Sequence, residues 1–281
     1  MLLVFGQTIN DIERTHVVIG MPEADALQEA LRIINTGEHE GITLRLLGGI
    51  AVRHHCESAN KEQLRRDYAD IDLFGLGKES RQIKKLFLTL GYSPRDSFNV
   101  LNAGRRLIFN DLQNKRRVDI FLDEFQMCHR FNFRERLKLG DTTLSLADLL
   151  MTKLQVVEMT DREYKDIICL LIDHEVGQHE EKEIINGAYI ADVCSHNWGI
   201  YKTFTTNINR TLSRLHEFSL DEDDRARVIQ LSNLLLKMIE DKPKSLKWEM
   251  RAKLGEKVRW YELPEPDTKL VDFSLEARAP A

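Results

Sequence analysis

The chain changes pattern once, near Gly140, and that change limits its fold more than any other feature. Before it, short apolar runs broken by Gly and Asn alternate with helical periodicity; after it, only helical periodicity is left. Residues 22–36 read as a helix, with Leu27, Leu31 and Ile34 on one face, Pro22 near its start and Gly37 at its end. The run ITLRLLGG, starting at Ile42, is β-prone and ends at Gly48-Gly49, after which IAVRHHC opens a helix. Residues 56–69 are polar without a period and read as a loop. IDLFGL is a short buried strand, and 80–90 an amphipathic helix stopped by Gly91. Three β-like runs, 97–101, 105–109 and 117–122, follow between turn residues. Beyond Gly140, helices are expected over 146–158, 161–173, 180–194, 198–218, 221–240 and 244–260. Asp161, Ser195 and Asp221 are placed as caps or first-turn residues, and Pro243 as a break. The expected class is α+β: an α/β half with a mixed sheet over 1–140, an all-helical half over 141–262, and an extended or mobile tail over 263–281.

Length and composition exclude several alternatives. With 281 residues, 42% hydrophobic and 30% charged, the chain can build a packed core, and disorder or a low-complexity fibre is excluded. No apolar run approaches the length of a membrane span, and the opening residues lack the basic start of a signal peptide, so no membrane is expected. Cys56, Cys128, Cys169 and Cys194 lie far apart, which suggests free thiols and a cytoplasmic location. The net charge of −5 conceals an asymmetry. Residues 41–140 hold 19 Lys/Arg and 12 Asp/Glu, or +7, which leaves −5 − 7 = −12 for the remainder. A basic half in an acidic chain fits a local anionic ligand such as a polyphosphate.

Three features then fall in order. Gly48-Gly49 sits between a strand and a helix, where backbone N–H groups can approach a phosphate unobstructed. Asp70 and Asp72, two apart on a strand, share one face and repel each other when buried. A cation is needed to offset that charge, and hard oxygen ligands on a rigid strand suit Mg²⁺. Asp119 lies in a later strand, Arg117-Val118-Asp119-Ile120-Phe121, and would complete a two-ion site. Asp123 has the same parity but reads as a strand exit.

The stretches LLGGIAV, DIDLFG and RRVDIFLD together resemble the polymerase-β-type nucleotidyltransferase superfamily. Within it the chain is most similar to the minimal bacterial nucleotidyltransferases of the abortive-infection toxin type. Arg66 stands where an arginine precedes the paired acids, Lys153 lies in a Leu-Leu-x-x-Lys-Leu helix, and Lys165-Asp166 matches a Lys-Asp pair on the next helix. The resemblance covers roughly residues 44–173, and the loop 56–69 is longer than in most members. It implies a transferase moving a nucleoside monophosphate from a nucleoside triphosphate to an acceptor hydroxyl of RNA, protein or a small molecule, with pyrophosphate released. Asp70, Asp72 and Asp119 would bind two Mg²⁺ ions, Asp119 would help deprotonate the acceptor, and Gly48, Gly49, Arg66 and Lys153 would bind the triphosphate. A nucleotide-binding or protein-interaction module without catalysis, or a toxin paired with an antitoxin, are the other functions it implies. His54-His55-Cys56 invites a zinc reading, but adjacent histidines diverge on a helix and no second ligand pair has suitable spacing, so no zinc site is expected.

Overall fold

The computed structural model describes residues 20–263. The expectations for the opening residues and for the tail beyond Leu263 lie outside the described residues. In chain order the elements are α1 (Ala26–His39), β1 (Leu44–Leu47), α2 (Gly48–His55), β2 (Asp70–Gly75), α3 (Ser80–Thr89), β3 (Ser93–Pro94), α4 (Asp96–Leu101), β4 (Arg106–Asp111) and β5 (Arg116–Leu122). There follow β6 (Glu124–Gln126), β7 (Arg130–Asn132), α5 (Leu146–Leu154), α6 (Asp161–Asp173), β8 (Glu175–Gly177), β9 (Ile184–Asn186) and α7 (Gly187–His196). The last three helices are α8 (Trp198–Arg214), α9 (Glu222–Asp241) and α10 (Leu246–Leu254). The protein is therefore α+β, with a mixed five-stranded sheet followed by packed helices. Among the described residues no helix is long and apolar enough to cross a membrane.

The sheet runs β1-β2-β5-β4-β3. Only β2 and β5 are parallel; the other neighbours are antiparallel. Side chains alternate between the two faces of a strand. One face carries Leu46, Ile71, Leu73, Val118, Ile120, Leu107 and Phe109, all buried. Helices α1 and α3 cover it; Phe87 stacks on Phe109 with ring centroids 4.5 Å apart. The opposite face holds the polar residues. The parallel register puts Asp70 beside Arg117 and Asp72 beside Asp119.

The sheet and the C-terminal helices share one apolar core that takes in residues of α1, β2, α6 and α9. Residues 142–144 hydrogen-bond to the edge of β1, through Leu46 N to Thr142 O and Leu144 N to Leu46 O. Apolar positions alone therefore do not separate the halves.

Three expectations change. Residues 97–101 form part of α4, not a strand. The Asn99 side chain exchanges both hydrogen bonds with the backbone of Ile108, taking the edge position on β4 that a strand would have filled. The helix expected over 180–194 divides into β9 and α7, so the C-terminal half is not all helical: β8 and β9 pair in parallel within it. Ser195 lies in the last turn of α7, and Asn197 caps α8 instead by accepting from Gly199 N and Ile200 N. Asp221 does cap α9, while α6 starts with a capping box of Thr160 and Glu163, Asp161 being its first residue.

Candidate active site

At the start of the polar sheet face, β1 ends in Leu47 and turns directly into α2. Gly48 has φ +72°, a backbone region unfavourable to residues with a side chain. A Cβ on Gly48 would collide with the Asp72 carboxylate, and one on Gly49 would collide with the Arg66 guanidinium. Gly48 is thus needed twice, for the turn and for close approach, and Gly49 for close approach alone. No side chain caps α2, which leaves its first N–H groups without a side-chain acceptor at the turn that adjoins Asp72.

Asp72 is partly exposed, yet burial and then the neighbouring Asp119 carboxylate push its carboxyl up to about 7, against the pull of Lys153. That is the behaviour of an acid short of positive charge. Asp70, further out, lies 3.7 Å from Arg117. Asp119 is 1% exposed and sits on the same face, as the shared parity requires. Its carboxylate is engaged by Arg106: Nε donates to Oδ1 at 2.7 Å, and Nη2 pairs with Oδ2. On β4, Arg106 lies directly across from Phe121, diagonal to Asp119 and within reach of a long side chain.

A second cluster organises the basic residues. Asp166, buried on α6, accepts two hydrogen bonds from Arg66, at 2.9 and 2.8 Å, and pairs with Lys153 Nζ at 2.8 Å. Arg66 also lies over the Tyr68 ring, 4.4 Å from its centroid. The long loop 56–69 is tied down where it meets the helices: Ser58 donates through N and Oγ to Asp173, and Lys165 Nζ donates to the Arg65 carbonyl. Asp166 is therefore a scaffold for two cations, and Lys165 holds backbone at the surface.

Two neighbouring cavities collect these residues. One of about 130 Å³ is lined by Gly49, Arg66, Asp70, Asp72 and Lys153, among others. A larger one of about 630 Å³ is lined by Gly48, Asp72, Asp119 and Lys153, and by the apolar side chains Phe98, Ile108, Phe121 and Met127. All seven residues singled out by sequence border one or other of these two cavities, which share Asp72, Lys153 and Glu163. Asp123 does not join them. It adopts φ +62° just past β5, accepts from Gly77 N and pairs with Arg134. Sequence reasoning missed Arg106, whose parity on an antiparallel neighbour of β5 is the one signal that could have found it. It also missed the apolar wall and the organising role of Asp166.

The acids have a mixed fit for metal. Asp72 carries the charge excess that a divalent cation would relieve, and Asp70 projects from the same face beside it. Asp119 is already neutralised by Arg106, so it can join an ion only if that pair opens.

No protein-family model matches this chain, and a search of curated proteins finds no match. The class is thus defined by the molecule itself: an α+β protein with a paired-carboxylate strand facing a glycine turn and an Arg-Lys pair held by a buried aspartate.

Proposed function

We propose that the protein is a metal-dependent nucleotidyltransferase that moves a nucleoside monophosphate from a nucleoside triphosphate to an acceptor hydroxyl. The observation that carries this reading is the meeting of Asp70, Asp72 and Asp119 on one sheet face with the Gly48-Gly49 turn and the Arg66-Lys153 pair around one space.

In this reading the open N–H groups of α2 donate to phosphate oxygens, favoured by the helix dipole. Arg66 and Lys153, held by Asp166, neutralise the triphosphate and the departing pyrophosphate. Phe98, Phe121 and Met127 offer the nucleoside an apolar wall. Asp119 takes the proton of the attacking hydroxyl, which requires Arg106 to move off its carboxylate. Asp70 and Asp72 would hold Mg²⁺, which supplies charge stabilisation on the phosphate oxygens when bound.

The test is incubation of the full chain with each labelled nucleoside triphosphate, Mg²⁺ and candidate acceptors. Pyrophosphate release that disappears in Asp70→Ala is expected; no release with any nucleotide, or undiminished release in that variant, rejects the proposal. A second reading rests on the Arg106–Asp119 pair, which occupies the third acid. If that pair never opens, the protein is a nucleotide-binding module, and tight nucleotide binding without turnover is its signature.

A further inference from the structure

A second cluster of ligating side chains lies away from the acids. His55 ends α2, His174 caps the C-terminus of α6, and Glu183 immediately precedes β9. One ligating atom from each lies within 4.8 Å of the others. The residues are far apart in sequence, and the packing of α2 against α6 brings them together.

His174 supplies the second, independent observation. It is 3% exposed, and neither ring nitrogen makes a hydrogen bond. Burying an imidazole with both nitrogens unsatisfied is costly, and a bound cation would satisfy one of them. Its Nδ1 lies 3.4 Å from Glu183 Oε2, without hydrogen-bond geometry. Two ligands bound tetrahedrally at ~2.0–2.1 Å are separated by about 3.3 Å, so this spacing suits a shared ion.

His55 has one ring nitrogen held by a neighbouring polar group, as metal-binding histidines do. Its Nε2 lies 2.7 Å from Thr143 Oγ1, and that hydroxyl donates its single proton to the Leu144 carbonyl. The hydroxyl must therefore accept from His55 Nε2–H, which leaves the lone pair on Nδ1. The two imidazoles stand nearly perpendicular, at 78°, with centroids 5.9 Å apart. Glu183 is largely exposed and opens the cluster to solvent, which gives an ion an entry path and a water its fourth position.

We propose that His55, His174 and Glu183 form a binding site for a divalent transition metal, with zinc the best match to two imidazoles and one carboxylate. Nitrogen donors disfavour Mg²⁺, so the site is chemically separate from the acids. The ion would pin the end of α2, whose first residues form the glycine turn, to the end of α6, which carries Asp166. It stands whether or not the chain transfers nucleotides.

The test uses the tag-free full chain, stripped with chelator and titrated with Zn²⁺ by calorimetry in excess Mg²⁺. One saturable Zn²⁺ per chain and a rise in Tm are expected. Glu183→Gln, at an exposed position, should fold normally and bind at least ~10-fold more weakly; Thr143→Val should weaken binding ~10–100-fold by releasing the His55 orientation. His174→Gln should abolish saturable binding, with circular dichroism reporting its fold. His54→Gln and the double variant Asp70→Asn/Asp72→Asn should bind as the parent does. Absence of saturable Zn²⁺ binding overturns the proposal. So does binding that survives in Glu183→Gln and His174→Gln undiminished, or that is lost only in the aspartate double variant.

Discussion

Two of the buried aspartates that arginines bind, Asp166 and Asp119, stand in opposite relation to the ligand space. Asp166 on α6 does not line the ligand space but holds Arg66 and Lys153, which do. Asp119 on β5 lines the space itself, and Arg106 covers it. In the proposed reaction the first pair's carboxylate is the support and its cations are the working groups, whereas the second pair's carboxylate is the working group and its guanidinium restrains it. The same ion pair can preorganise a site or hold it closed, and what differs here is whether the carboxylate itself borders the cavity: Asp119 does and Asp166 does not.

Kinetics give the largest contrast. Asp119→Asn should lower kcat by ~10²–10³-fold with little change in KM, because its loss is felt when the acceptor proton moves. Asp166→Asn should instead raise the nucleotide KM by about 10–100-fold, since two charge-assisted contacts lose their support. Steady-state pyrophosphate release with both variants checks this, and identical changes in kcat and KM would break the distinction.

Thermal stability sharpens it next. Arg106→Gln leaves Asp119 buried without its main counter-charge and should cost metal-free protein about 3 kcal/mol. Millimolar Mg²⁺ should recover much of that loss, because the freed carboxylate can then join an ion. Denaturation with and without Mg²⁺ measures both numbers; a Tm indifferent to Mg²⁺ would mean that Asp119 is no metal ligand.

The smallest effect is in pH. The folded chain keeps the Asp72 proton up to about 7, whereas the usual value is 3.8. Its contribution to stability is thus fully present below about pH 4 and lost as pH rises through 7. Halved for partial solvent access, the shift corresponds to on the order of 2 kcal/mol between about pH 4 and 7 in metal-free protein. Asp148, pushed up to about 6 by burial, slopes in the same direction, so the informative quantity is the difference from Asp72→Asn. Denaturant melts across this range should show a shallower fall in the variant; parallel curves would argue that Asp72 is an ordinary carboxylate.

What could be read from the sequence was local. Period-two and period-3.6 patterns located most strands and helices. The shared parity of Asp70 and Asp72 follows from strand geometry, and the value of glycine at 48 and 49 follows from the missing Cβ. Reading failed where a local pattern was outweighed by a distant partner: Asn99 made a helix of a β-like run by bonding to Ile108. The parallel pairing of β2 with β5 was not legible, because nothing local fixes which strands become neighbours. That pairing alone sets Asp119 beside Asp72.

By itself, then, the chain determined its α+β class, its glycine turn and the acids that share a strand face, all consequences of steric preference and side-chain alternation over a few residues. Tertiary structure alone decided that Arg106 covers Asp119, that Asp166 joins Arg66 to Lys153, and that His55 meets His174 and Glu183. Each depends on side chains converging from elements separated by dozens of residues or by a strand register. Burial sets those encounters, and no short-range pattern encodes them.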